Sequence, residues 1–396
     1  MDDMSYEKDA VQLNTVVLPN KTAQNNTTFS SEGVSFGGEA SLLSTPLNAD
    51  DKSRVPLPAV AGIAFSVVAL LLLGWPLLSL WLPEALLDQM SFQLALNAIN
   101  QIGIFAGLPL LILVLTQHKI KDVLRLNKPK VSEVIISAAL PLTLFPVVMA
   151  LAAIVMLLVE MVFGSTADLT GLSSMMSETN IFVMIIFVAV MPAICEEVLF
   201  RGVVLKGLQK NGIVFGIILT AILFGLFHMD FQRFIAQALM GAVAGVVVYR
   251  TNSIFCGMIV HFMNNFVVLM LSFVAVSFIP SQEVAETAGE TSEPGSTLEA
   301  LRASAESANV DVIFMVAQTI IMFLIIIVVF AGLTLPLFIA LFHVSKGKVQ
   351  RLRAERELYA EKKPINLKCY LAFVPGLLII GYSYYLTALY LLGLTQ

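Results

Sequence analysis

Nine long apolar runs dominate the chain, at 58–82, 95–116, 133–162, 180–208, 212–229, 233–250, 253–278, 312–343 and 367–394. Most of them match or exceed the roughly 20 residues that a helix needs to cross a bilayer. With 58% hydrophobic and only 13% charged residues, the chain lies outside the range of ordinary soluble domains. The runs predict an all-α fold, a polytopic transmembrane helix bundle of eight to nine spans. Two of them, 212–229 and 233–250, are short and closely spaced, the pattern of a partly re-entrant pair.

Charge placement orients this bundle. One loop carries Lys119, Lys121, Arg125, Lys128 and Lys130, and another carries Lys346, Lys348, Arg351, Arg353, Arg356, Lys362 and Lys363. The positive-inside rule puts both in the cytoplasm. Nine spans threaded through that constraint give a cytoplasmic N-terminus, an external C-terminus and a plasma-membrane location. The external loops that follow, 163–179 and 280–311, hold one basic residue, Arg302. A net charge of −5 offers nothing to nucleic acid, so the expected surroundings are membrane lipid.

The chain divides into a polar N-terminal tail at 1–56, N-terminal transmembrane helices at 57–179, a polar-bearing core at 180–275, an external polar loop at 276–311 and C-terminal transmembrane helices at 312–396. The tail, rich in Asn, Ser, Thr and Gly, has too little apolar content to form a core and is expected to be disordered. No apolar segment precedes it, so the first span is expected to direct insertion. Within the loop, 281–306 predicts a flexible segment containing a short surface helix. Three cysteines, Cys195, Cys256 and Cys369, sit in or beside apolar runs, which argues against a disulfide framework. Gly241 and Gly245 have the small-xxx-small spacing that allows close helix packing.

Against this background one cluster is anomalous: Glu196, Glu197 and Arg201, then His228, then His261 with Asn264 and Asn265. A charged group near the bilayer centre costs on the order of 3 kcal/mol even on lenient scales, so such a cluster points to function. Glu197 and Arg201, four apart, share a helical face and can pair. Glu196 is turned about 100° from Glu197, free to face a cavity as a general base. A purely structural staple would need one carboxylate, and this segment has two. Phe224 and His228 share a face, as do His261 and Asn265, which can supply donors to an oxyanion. Asn264 points elsewhere and reads as packing. A thiol mechanism at Cys195 is disfavoured, because the adjacent Glu196 opposes a thiolate.

The strings Glu-Glu-Val-Leu-Phe-Arg at 196–201, Phe-Gly-Leu-Phe-His at 224–228 and His-Phe-Met-Asn-Asn at 261–265 resemble the EExxxR, FxxxH and HxxxN motifs of the CPBP family, which holds the CAAX prenyl proteases and bacteriocin-processing membrane proteases. The resemblance covers roughly 180–275. It implies an intramembrane endopeptidase cutting a membrane-associated protein or peptide, prenylated CAAX proteins being the substrates of eukaryotic members. By the resemblance Glu196 activates water, Glu197 and Arg201 hold and tune the site, His228 assists Glu196, and His261 with Asn265 stabilises the oxyanion.

The family is usually described as metalloproteases, which makes Glu196, His228 and His261 candidate ligands for zinc or another divalent metal. No H-E-x-x-H helix is present, and water activated by glutamate without a metal stays an equal reading. Two other classes remain open: a proton-coupled transporter, and a non-catalytic immunity or binding protein of the same fold. One difficulty concerns depth, since simple spans place Glu196 deep and His228 near the external end of the next helix. The expectation is a fourth helix that is long, tilted or broken near Pro192, or a turn at 229–233 that dips into the membrane, with a water-filled cavity beside Glu196.

Overall fold

In a computed structural model of the chain, the structure describes residues 55–79, 81–87, 89–164, 179–278, 297–308, 310–358 and 367–394. The expected disordered tail, up to residue 54, and the loop stretch 279–296 lie outside these residues. Residues 51–396 form one compact unit, and among the described residues every regular element is a helix.

The principal helices, in chain order, are α1 (Leu57–Ser79), α2 (Met90–Leu115), α3 (Val131–Phe163), α4 (Ile181–Asn211), α5 (Ile213–Leu226), α6 (Phe234–Thr251), α7 (Ile254–Phe278), α8 (Thr297–Ala308), α9 (Val312–Val344), α10 (Lys346–Leu358) and α11 (Lys368–Leu391). Each of the nine apolar runs is helical. Among the described residues seven helices are long and apolar enough to cross a membrane, while the stretch Leu57–Leu72 of α1 and the whole of α5 are shorter. The chain is an integral membrane protein of the all-α class. The short surface helix expected in the external loop is α8, pinned where both Glu160 oxygens accept the Leu298 N–H at 3.0 Å.

Helices in lipid are held by van der Waals packing and interhelical hydrogen bonds, because tails are as apolar as leucine. Two buried clusters result. One joins α1, α2, α4, α5 and α11 through residues such as Phe65, Phe105, Phe200, Phe224 and Phe227, whose rings meet edge to face at 5.1–5.6 Å. The other joins α3, α6, α7 and α9 around Leu140, Leu144, Val243, Val247 and Val260. Gly241 lets α5 and α6 close on each other: a Cβ there would sit 3.1 Å from the Phe224 ring and 3.2 Å from the Ala221 Cα. The small-residue spacing is therefore packing, as expected.

The depth problem resolves through the lengths of α4 and α5. Helix α4 is a continuous run of 31 residues, not broken at Pro192. Wide π-helical turns at Ile185–Val190 and Val198–Val204 flank the α-helical stretch Met191–Glu197. Helix α5 has 14 residues, or about 21 Å at 1.5 Å per residue, too short for a hydrocarbon core of about 30 Å. Arg125 joins the loop before α3 to the end of α4 by donating to the Gln209 side chain and to the Arg201 carbonyl, and its own carbonyl receives the Ile254 N–H of α7. Read for charge topology, Arg125 is a loop cation; the fold buries it to 4% exposure. Counted from the α4/α5 junction, Glu196 and His228 are each about 15 residues away, so the two fall at similar depth.

Candidate active site

The site forms on the seam between the two clusters, where α4 meets α7 and the end of α5. Helix α4 contributes the carboxylates on two of its faces. Glu197 is sealed from solvent and pairs through Oε1 with Arg201 Nη1 at 2.6 Å. That arginine, 1% exposed, is held further by its Nη2 donating to the Gly241 carbonyl of α6 at 3.3 Å and by the Phe224 ring 4.4 Å beneath its guanidinium. A buried ion pair tolerates its desolvation only with such additional partners. Gly257 of α7 leaves room for the carboxylate, since a Cβ there would lie 2.7 Å from Glu197 Oε2.

His261 of α7 connects the two carboxylates. Its Nδ1 lies 3.0 Å from Glu197 Oε1, and its Nε2 lies 4.0 Å from Glu196 Oε2. A carboxylate on Nδ1 holds that nitrogen as the protonated one and aims Nε2 at the reacting groups. Glu196 keeps 12% exposure, and its other oxygen, Oε1, accepts from the Gln101 amide of α2 at 3.1 Å. Glu196 is thus oriented from two sides with Oε2 left toward the imidazole.

His228 sits in the turn that follows α5. Its Nδ1 meets the Phe224 carbonyl at 2.9 Å, so Nδ1 carries the proton and Nε2 the lone pair. Its ring packs edge to face on Phe224 at 5.0 Å, and the His261 ring packs on the same phenylalanine at 5.7 Å. His228 also lies within electrostatic reach of both Glu196 and His261.

Asn265 is tied to α4. Its Nδ2 donates to the Val188 carbonyl at 3.1 Å, within the wide π-helical turn of α4. Asn264, expected as packing, is 8% exposed and donates to Asn265 Oδ1 at 3.1 Å, fixing which way the amide faces. The second N–H of Asn265 Nδ2 is left for another acceptor. Cys195 is buried in the aromatic cluster and unpaired.

Every sequence-predicted residue therefore comes to one place, and the pattern of pairing is more specific than the motifs alone require. A small recess adjoins the site, lined by Arg201, Phe224, Gln237, Met240, Ala244, Val260, His261 and Asn264. It reaches the His261 side and not Glu196, where the cavity was expected. Gln101 is the residue that sequence reasoning missed. Its one signal was an amide in the apolar run 95–116, which reads equally well as interhelical glue.

The metal reading does not find its ligand set. Among the described residues no three His, Cys, Asp or Glu side chains form a group able to hold a metal ion, so Glu196, His228 and His261 do not make the open two-histidine, one-glutamate arrangement. The chemistry that these groups offer as placed is proton transfer and hydrogen bonding.

Residues 178–267 match the family "Type II CAAX prenyl endopeptidase Rce1-like". Over these residues the chain is similar to that family. The match runs from just before α4 to just past Asn265 in α7 and so contains all three motifs. A curated relative, "Putative membrane peptidase YdiL" of Bacillus subtilis (strain 168), is 30% identical over 89 residues, which is 22% of this chain and 36% of that protein. The chain thus spans about a third of the length of the relative it matches. No solved structure matches it. Helices α1, α2, α9 and α11 lie outside the Rce1-like segment.

Proposed function

We propose that the protein is an intramembrane endopeptidase that hydrolyses a peptide bond of a membrane-associated protein or peptide, with prenylated CAAX-type chains among the candidates. The observation that carries the reading is the bridge Glu197–His261–Glu196: one carboxylate fixes the imidazole while the other, 4.0 Å from Nε2, is left to act on water. In this reading Glu196 Oε2 takes a proton from a water as its oxygen bonds to the scissile carbonyl carbon. The resulting oxyanion accepts from the spare N–H of Asn265, and His261, held by Glu197 through Nδ1, stands beside Glu196. The carboxylic acid of Glu196 then gives its proton to the amide nitrogen, the C–N bond breaks, and an acid and an amine leave. His228, through its Nε2 lone pair, shares the proton with Glu196 during these transfers. Arg201 and Glu197 keep the geometry and do not react.

A cytoplasmic N-terminus and a plasma-membrane location belong to the same proposal, supported by the two basic loops around residues 119–130 and 346–363. The test is cleavage of quenched fluorescent peptides, prenylated and unprenylated, by detergent-purified protein. Wild type is expected to cut and Glu196→Gln is not. Undiminished cleavage by that variant removes the proposed base, and proton-coupled solute uptake by liposomes holding the protein replaces the protease with a transporter. Chelators are expected to leave the rate unchanged; loss on chelation restored by zinc assigns the water to a metal instead.

A further inference from the structure

We infer that Asn97 and Gln101 of α2 form an edge that binds the substrate's backbone in extended conformation beside Glu196. This rests on the endopeptidase reading and adds where the peptide lies. Helix α2 stands outside the segment matched to the Rce1-like family, so the motifs say nothing of it.

Three observations converge on this edge. Gln101 Nε2 donates to Glu196 Oε1 at 3.1 Å, which places the Gln101 amide in contact with the reacting carboxylate. The same bond commits the nitrogen of that amide to Glu196 and turns the oxygen away from it. Gln101 Oε1 is then buried without a hydrogen-bond partner, on a side chain only 9% exposed, and Asn97 Oδ1, one turn earlier, is buried without a partner as well. Interhelical glue requires a donor for each acceptor, and among the described residues neither oxygen has one. A buried orphan acceptor is costly, and an incoming N–H relieves that cost only when a ligand is present.

Spacing selects the ligand. Asn97 lies in the α-helical start of α2 and Gln101 about one turn on, in its π-helical stretch Ile99–Gly107, so the two residues are roughly 5–6 Å apart along the axis. On one edge of an extended chain, N–H groups recur every second residue, about 6.7 Å apart. Two acceptors at that separation therefore take two alternate N–H groups of a peptide in β-conformation. A helical peptide uses its N–H groups internally and offers none. The edge thus favours an unwound, extended stretch at the scissile bond, and Gln101 serves two tasks by orienting Glu196 with its nitrogen and receiving substrate with its oxygen.

The experiment crosses three proteins with three peptides. A quenched fluorescent peptide that the full-length, detergent-purified protein cleaves is prepared unmodified and with single N-methyl groups at each of two alternate backbone amides flanking the cut. For wild type, methylation at the amide facing Asn97 is expected to lower kcat/KM about tenfold. Asn97→Leu is expected to raise KM for the unmodified peptide with kcat little changed and to show no further penalty for the methylated one. Gln101→Leu is expected to lower kcat as well, since it also releases Glu196. If Asn97→Leu and wild type suffer the same methylation penalty, the edge is overturned while the peptidase stands. If wild type cuts no peptide in the panel, prenylated or not, the endopeptidase reading falls and takes this edge with it.

Discussion

Among the described residues two carboxylates, Glu133 and Glu197, have no solvent exposure at all, and they show what separates a staple from a catalytic support. Glu133, at the start of α3, holds Lys348 Nζ of α10 at 2.6 Å and caps the Lys130 backbone N–H at 2.7 Å. Glu197 holds Arg201 at the same 2.6 Å. Both carboxylates are fully buried and each leaves one oxygen without a partner. The contrast lies in what surrounds them. Lys348 is 25% exposed and spends its remaining reach on the Thr251 carbonyl, joining three elements at one end of the bundle. Glu197 instead passes its charge through His261 to a second carboxylate. The same device of burial fastens helices in one place and orients an imidazole in the other.

Substitutions that break this contrast have graded effects. Glu196→Gln is expected to lower kcat by three to four orders of magnitude, roughly the upper range for a general base, with an unchanged thermal midpoint; an altered midpoint with surviving cleavage would make Glu196 a second staple. Arg201→Leu strands Glu197 without its cation and releases Gly241, and unfolding in detergent should show a loss of about 3–5 kcal/mol. Gly257→Ala forces a Cβ to 2.5 Å from Val248 Cγ2 and 2.7 Å from Glu197 Oε2; overpacking of that kind costs about 1–3 kcal/mol, and peptide cleavage should fall with it. Lys348→Met is the mildest for catalysis. It strands the buried Glu133 carboxylate, so unfolding should show a loss of up to about 3 kcal/mol, while the folded variant should cut peptide at the wild-type rate.

Much of the architecture was legible because lipid allows few alternatives: each apolar run became a helix, and the cluster of Glu196, Glu197, Arg201, His228, His261 and Asn265 assembled as the motif spacing implied. Residue-level pairing was less so. The sequence placed His261 beside the oxyanion but gave no sign that its Nδ1 meets Glu197, a contact between residues 64 apart that no local spacing reveals. Gln101 belongs to a span without motif, and an amide there carries the same signature whether it joins two helices or orients a carboxylate. Arg125 and Lys348 counted toward charge topology, a rule that concerns which side a loop occupies and not what its side chains grip. Residue types at motif spacing likewise do not specify whether three ligand atoms point at one centre, and among the described residues no such group forms.

The shortness of α5 has a bearing on the lipid itself. A helix reaching about 21 Å leaves roughly a third of the acyl layer without a matching wall on that side of the protein, and bilayers meet such a mismatch by thinning locally. The aqueous phase and the headgroups are then drawn inward toward the turn that bears His228. Water for hydrolysis and a tethered chain would arrive by the same dimple.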